Sequence, residues 1–365
     1  MKLTRSFGKN LCKLQTMAPS EHTLLVTGAT GYVAGHVIHQ ALTKGYNVRA
    51  CVRSESAREK ILATFPNYGS QLSFAPVKDI TSPEFFKDAF ADGAVTGIIH
   101  LASPVHLSPE DNKRDMLDPA INSAKSIIEA AKLFGPSVQR VINTSSMAAL
   151  LDVSKGLRPG YTYSEKDWNP MTYDEAAEAD PVSVYCASKA LAEKGMWEFM
   201  ESGDNNPKFS FVSVNPSMVF GPDFYPITDL AGLKASAARA WALVDAKDVP
   251  PPDFCGVVDV RDVAKALLSA FEIPEAAGQR YLLAKHFEWQ TAADAAREAL
   301  EEPDRSRIPA GSPGSMDNGA WKSVTYGVDG SKAVRELGFE YRPLKDTMGD
   351  TIKQLLDVER KIGRN

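Results

Sequence analysis

Tyr185 and Lys189 stand four residues apart in "SVYCASKALAEK", residues 183–194. On a helix that spacing puts both side chains on one face, with Cβ atoms roughly 5–6 Å apart. A phenol beside an ammonium is a proton donor whose acidity can be tuned. An unperturbed tyrosine has a pKa of about 10, so titration near 7 requires about 4 kcal/mol. One charge at about 4 Å, in an effective dielectric of about 20, supplies up to about 4 kcal/mol, and desolvation opposes part of it. The same spacing is common on ordinary amphipathic surfaces, so its meaning depends on what surrounds it. Ser146 ends the apolar run "VQRVINTSS" and could donate a hydrogen bond to an oxygen on which charge develops. A strand-end serine bonded to backbone would read the same way. Asn122, in "DPAINSAKSII", could support Lys189 through water or could simply pack between helices.

The elements that would position these residues alternate. "TLLVTG", "YNVRACV", "QLSFAPV", "VTGIIHLA", "VQRVINTSS" and "FSFVSVNP" read as strands. Helical patterns separate them: "GYVAGHVIHQALTKG", "SAREKILATF", "SPEFFKDAF", a segment near 114–134, and the one holding Tyr185. Strands divided by such helices imply βαβ units and a parallel sheet. Continuous apolar strands imply a sheet covered on both faces. The expected fold is α/β, a doubly wound parallel sheet of the Rossmann type with a smaller C-terminal substrate-binding lobe. The rhythm breaks after Pro216. The expected division is therefore 1–22 as a flexible extension, 23–216 as the nucleotide-binding domain, and 217–365 mainly as the lobe, with segments returning to the sheet.

The first strand ends in "LLVTGATGYVAGH", with Gly28, Gly31 and Gly35 before a helix. Gly28 can turn tightly, and Gly31 lets backbone N–H groups approach a pyrophosphate at the helix N-terminus. Where the second strand ends, an acid would bind the ribose 2′-hydroxyl of NAD, whereas arginine suits the 2′-phosphate of NADP. Arg53 occupies that place, with Arg58 nearby and Glu55 as a counter-indication. NADPH is the expected cofactor. Open α/β sheets bind ligands at the carboxyl ends of their strands. Those ends deliver Asp79 and Ile80, then Leu101, Ala102 and Ser103, then Thr144 to Ser146, then Asn215 and Pro216.

Lys and Arg total 41 against 46 Asp and Glu, which argues against a nucleic-acid binder with its concentrated basic face. No apolar run approaches the roughly 18 residues of a membrane span. Cys12, Cys51, Cys186 and Cys255 are far apart, which fits a reducing compartment and no zinc site. Cytoplasmic location follows. Residues 1–20 carry four bases and no acid, so a mitochondrial presequence is the alternative to a flexible extension. His36 and His39 lack a third metal ligand at useful spacing, and His100 in its apolar strand reads as a core histidine.

The motifs "VTGATGYVAGH", "HLASPV", "TSSMAA", "DPVSVYCASKALAEK", "VNPSMVFGP", "VDVRDVAKA" and "LGFEYRPLKDT" together resemble the extended short-chain dehydrogenase/reductases. Fungal NADPH-dependent aldehyde and ketone reductases are the nearest group, and dihydroflavonol reductase-like proteins are more distant. The resemblance covers roughly residues 23 to 355. It implies a catalytic set of Ser146, Tyr185 and Lys189, with Asn122 behind them. It implies cofactor binding through Gly28, Thr30, Gly31, Tyr32 and Val33, through Arg53 and Arg58, and through Asp79 and Ile80. Leu101, Ala102, Ser103, Pro216, Val219 and Ser236 would complete that surface, together with Tyr185 and Lys189. Val105, Met147 and Phe224 fall where the family lines its substrate pocket. One departure is Ala57, where these reductases often carry a lysine. The expected activity is reduction of a small-molecule carbonyl by a monomer or homodimer. The alternatives are an NAD-dependent nucleotide-sugar epimerase or dehydratase, and a non-catalytic dinucleotide sensor.

Overall fold

The computed structural model describes residues 18–103, 109–203, 205–233 and 235–363. Seven parallel strands form the central sheet: β1 (Thr23–Val26), β2 (Asn47–Val52), β3 (Leu72–Pro76), β4 (Val95–His100), β5 (Arg140–Thr144), β6 (Ser210–Pro216) and β7 (Arg280–Leu283), in the order β7-β6-β5-β4-β1-β2-β3. Every residue of β1, β4 and β6 is buried, which is why those strands carry no charged side chain and place apolar residues on both faces. Successive side chains still point to opposite faces. Leu24 and Val26 pack under α1 (Tyr32–Thr43) and a later helix, Val260–Glu272, whereas Leu25 packs under α2 (Asp118–Phe134) and α3 (Pro181–Glu201).

Beyond β6 the chain builds a second core. Met218–Phe220, Gly256–Asp259 and Lys285–His286 form a small mixed sheet. Phe220, Phe287, Trp289, Ile352 and Leu355 bury its apolar side against Trp289–Ala299 and Leu344–Ile362. Between these segments β7 returns to the central sheet beside β6.

Two elements depart from the sequence pattern. Pro83–Phe90 winds as a 3₁₀ helix rather than an α-helix, while Phe86, Ala89 and Phe90 still reach the core. The helix expected near 114–134 opens with a wide π turn, Lys113–Leu117, ahead of α2. Pro119 follows within the first turn and has no N–H to close a regular α ladder there.

Arg140 of β5 is fully buried. Its Nη1 donates to the carbonyls of Ala270 (2.8 Å), Phe271 (3.0 Å) and Ile273 (2.6 Å), and its Nη2 donates to Pro274 (3.1 Å). Its Nε donates to the Ser210 hydroxyl at 2.8 Å. The guanidinium thus occupies the C-terminus of Val260–Glu272, where the last carbonyls have no intrahelical partner and the helix dipole favours a cation. Burial pulls its pKa down to about 10, which leaves it charged at neutral pH. Arg140→Met strands several buried carbonyls. It should cost at least about 3 kcal/mol, read as a lower urea midpoint at unchanged slope.

Candidate active site

The carboxyl ends of β1, β4, β5 and β6 open onto one cleft of about 590 Å³. Its floor is the turn after β1. Gly28 holds φ +64°, and a Cβ there would sit 3.0 Å from the backbone nitrogen of Ala102. Gly31 is the N-cap of α1, and a Cβ there would meet the Gly28 carbonyl at 3.0 Å. The turn therefore tolerates no side chain at either position. It leaves backbone N–H groups at a helix N-terminus, a surface suited to a pyrophosphate. Thr27 ties it to the next strand: its Oγ1 accepts from the N–H groups of Leu101 and Ala102, both at 3.0 Å. Its proton then goes to Nδ1 of His100 at 2.9 Å. Burial drives the His100 pKa down to about 3, with the charge of Lys189 adding to it, so this histidine is a neutral structural group.

Asp180 and Pro181 start α3, the carboxylate accepting from the N–H groups of Val182 and Ser183 at 2.9 and 3.1 Å. An Asp N-cap followed by proline is a strong start signal, and it sets the rotation that turns Tyr185 and Lys189 to the cleft. The Lys189 Nζ lies 5.6 Å from the centre of the Tyr185 ring and donates to the Ser103 hydroxyl at 2.7 Å. Ser146 accepts from the Ala148 N–H at 3.1 Å, which leaves its proton free for a partner in the cleft that it lines with Tyr185. Burial raises the phenol pKa, and the Ser146 hydrogen bond opposes that rise. Burial also lowers the Lys189 ammonium to about 8. The phenol is therefore protonated at neutral pH while the lysine keeps most of its charge.

Gly28, Gly31, Tyr32, Val33, Leu101 and Ser103 line the cleft. Met147, Pro216, Val219 and Ser236 line it as well. Thr30 lies within the turn, between its two glycines. Arg53 is exposed at the end of β2 and makes no ion pair among the described residues. Arg58 is committed elsewhere, paired with Glu55 and lying 5.5 Å over the Phe74 ring. Asp79 accepts from the Thr81 N–H and hydroxyl at 2.8 and 2.7 Å, and Ile80 packs on the core under β1.

Two expectations change. Phe224 does not line the cleft; it packs behind α1 against His36, His39 and Phe65, where the close approach of Gly35 admits it. Asn122 is exposed, and Ser123 is the residue of α2 that faces Lys189, across a chamber of about 20 Å³ shared with His100 and Glu193. The chamber is wide enough for one water. A step of one residue turns a helical side chain by about 100°, which separates the two. Val105 lies outside the described residues. The pair His36 and His39 is also engaged, His36 Nε2 bonding the Pro222 carbonyl at 2.8 Å. The sequence reading passed over the outer wall, which includes Val182, Met218, Arg239 and Phe254. Arg239 pairs there with Asp253. Val182 arrives with the first turn of α3, whereas Met218, Arg239 and Phe254 come from chain beyond β6 and carry no local signal.

The family described as NAD dependent epimerase/dehydratase matches residues 24–284. The chain belongs to that family. Within it, the NADPH-dependent methylglyoxal reductase GRE2 of Saccharomyces cerevisiae is 36% identical over 346 residues, covering 93% of this chain and all of that protein. The ketoreductase azaE of Aspergillus niger is 34% identical, covering 92% of this chain and 97% of its own. The crystal structure of yeast Gre2 complexed with NADPH superposes with a TM-score of 0.85 at 34% identity, over 93% of this chain and 99% of that one. The chain is thus an extended short-chain dehydrogenase/reductase, as its motifs indicate.

The lysine is open to a direct test. In ¹³C NMR of reductively methylated protein, one resonance should titrate near pH 8, against about 10.4 for ordinary lysines. It should vanish in Lys189→Met; the absence of any low-titrating resonance contradicts the assignment.

Proposed function

We propose that the chain is an NADPH-dependent carbonyl reductase that converts an aldehyde or ketone to its alcohol. The observation that carries this reading is the convergence of Ser146, Tyr185 and Lys189 on the cleft floored by the Gly28–Gly31 turn. The glycine turn, the backbone of Pro216 and Val219, and Ser103 would hold the dinucleotide. Exposed Arg53 would pair with its 2′-phosphate. NADPH, when bound, supplies the hydride that reduces the carbonyl carbon. Ser146 donates a hydrogen bond to the carbonyl oxygen and orients it. Tyr185 delivers the proton to that oxygen, and the raised phenol pKa keeps the proton available. Lys189 places its positive charge beside the phenol and stabilises the tyrosinate that results. Met147 and the apolar outer wall favour a hydrophobic substituent on the carbonyl compound.

The printed names of the similar proteins support reduction over epimerisation, and so does Arg53 where an acid would suit NAD. The intact set of three polar groups weighs against a sensor without turnover. The domain reading extends the same proposal: 23–216 together with β7 binds the dinucleotide, and 217–365 otherwise supplies the substrate side. No helix among the described residues is long and apolar enough to cross a membrane, and we place the enzyme in the cytoplasm as part of the proposal.

Tyr185→Phe should lower turnover of an aldehyde panel by about 10²–10⁴-fold while NADPH still binds; retained turnover ends the proposal. Lys189 loses its charge as pH rises through about 8. Reduction should therefore fall on the alkaline side of that value while acid-side activity is kept. Arg53→Ala should raise KM for NADPH about tenfold and leave KM for NADH unchanged, as initial rates with each cofactor will show.

A further inference from the structure

Tyr185, Lys189 and Glu193 follow one another at four-residue steps along α3, so a third ionisable group continues the stripe that carries the first two. Glu193 is buried, with its side chain fully enclosed. Burial alone would raise its pKa. The charge of Arg280 and hydrogen bonds from Arg280, Ser145 and Asn215 outweigh that and bring it down. It is an ionised carboxylate in the interior, which is costly unless every acceptor site is used.

Arg280 holds both oxygens, its Nη2 donating to Oε2 at 3.2 Å, and the remaining donors divide between them. Oε1 accepts from Arg280 Nε at 2.7 Å and from the Trp197 indole at 3.3 Å. Oε2 accepts from the Ser145 hydroxyl and from Asn215 Nδ2, both at 2.7 Å. Asn215 also donates to the Ser146 carbonyl at 3.2 Å. One carboxylate oxygen thus grips the tips of β5 and β6 on either side of Ser146. Arg280 is itself fixed: it donates to the carbonyls of Glu165 (2.9 Å) and Asp167 (2.5 Å) and lies 3.6 Å over the Trp168 ring. A core that needed only stability would be served as well by apolar residues of similar volume.

We infer that Glu193 is a positioning residue, tethering the Ser146 segment to the helix that carries Tyr185 and Lys189 so that the Ser146 hydroxyl stays on the Tyr185 phenol. The inference rests on the catalytic roles proposed above, and its consequence is specific to Ser146. Loosening the tether removes a donor from the phenolate.

Glu193→Gln strands the buried Arg280 charge and would test folding as much as placement. Ser145→Ala and Asn215→Leu cut the tether and leave the ion pair intact. With 3,5-difluorotyrosine at position 185, the ¹⁹F signal follows the phenol titration in a pH range where the protein stays folded, with no cofactor and no turnover. Both variants should move that midpoint upward, and Ser145→Thr, which keeps a hydroxyl, should return it. Turnover in both should fall about tenfold in kcat at constant KM and unchanged NADPH affinity, the pattern of an interaction made in the transition state. A midpoint that stays put in both variants, or that Ser145→Thr fails to restore, overturns the tether. If the wild type reduces no carbonyl compound, the reductase reading fails, and the titration still decides the tether.

Discussion

A sheet whose seven strands all run the same way has one edge where every carboxyl end emerges, and the rest of the molecule is arranged around that edge. Parallel strands require crossovers, and the crossovers place helices over both faces. That burial accounts for the lack of charged residues in β1, β4 and β6. With both faces sealed, polar chemistry can collect only where strands end and helices begin. Gly28 after β1, Ser103 after β4 and Ser146 after β5 share one cleft for that reason.

Inside the cleft, burial acts in opposite senses on the two titrating groups. It raises the phenol and lowers the ammonium, which drives apart two proton affinities that ordinarily lie close together. The lysine is kept ionised enough to matter, and the tyrosine is kept protonated. Ser146, the neutral hydroxyl that shares the cleft wall with the phenol, works against the rise. Glu193 keeps its charge at a distance from the reacting atoms and acts through the backbone of neighbouring strands.

Local patterns made the central sheet legible, since six of its strands are short runs rich in apolar and β-branched residues, separated by helical segments. Tyr185 and Lys189 were legible because an Asp-Pro start fixes the helix rotation. Asn122 and Phe224 were not, because a single residue of phase decides which side of a helix faces a site, and sequence spacing carries that phase poorly across a π turn or a loop. β7 was foreseen only as a returning segment; its partner lies more than sixty residues earlier in the chain. Glu193 had the right spacing, but a buried glutamate is intelligible only with Arg280, and nothing local connects the two. The outer wall of the cleft has the same origin in distant pairing.

The two buried arginines give the chain a direction in time. Arg140 is satisfied by carbonyls of residues 270 to 274, and the counter-charge of Glu193 arrives at residue 280. A ribosome delivers β1 to β6 long before either. Until then Arg140 has only the Ser210 hydroxyl, and Glu193 has only neutral donors. The nucleotide-binding half, though almost continuous in sequence, cannot close as an autonomous early folding unit during synthesis. It waits for residues 270–280, which lie within the stretch of chain that builds the second core.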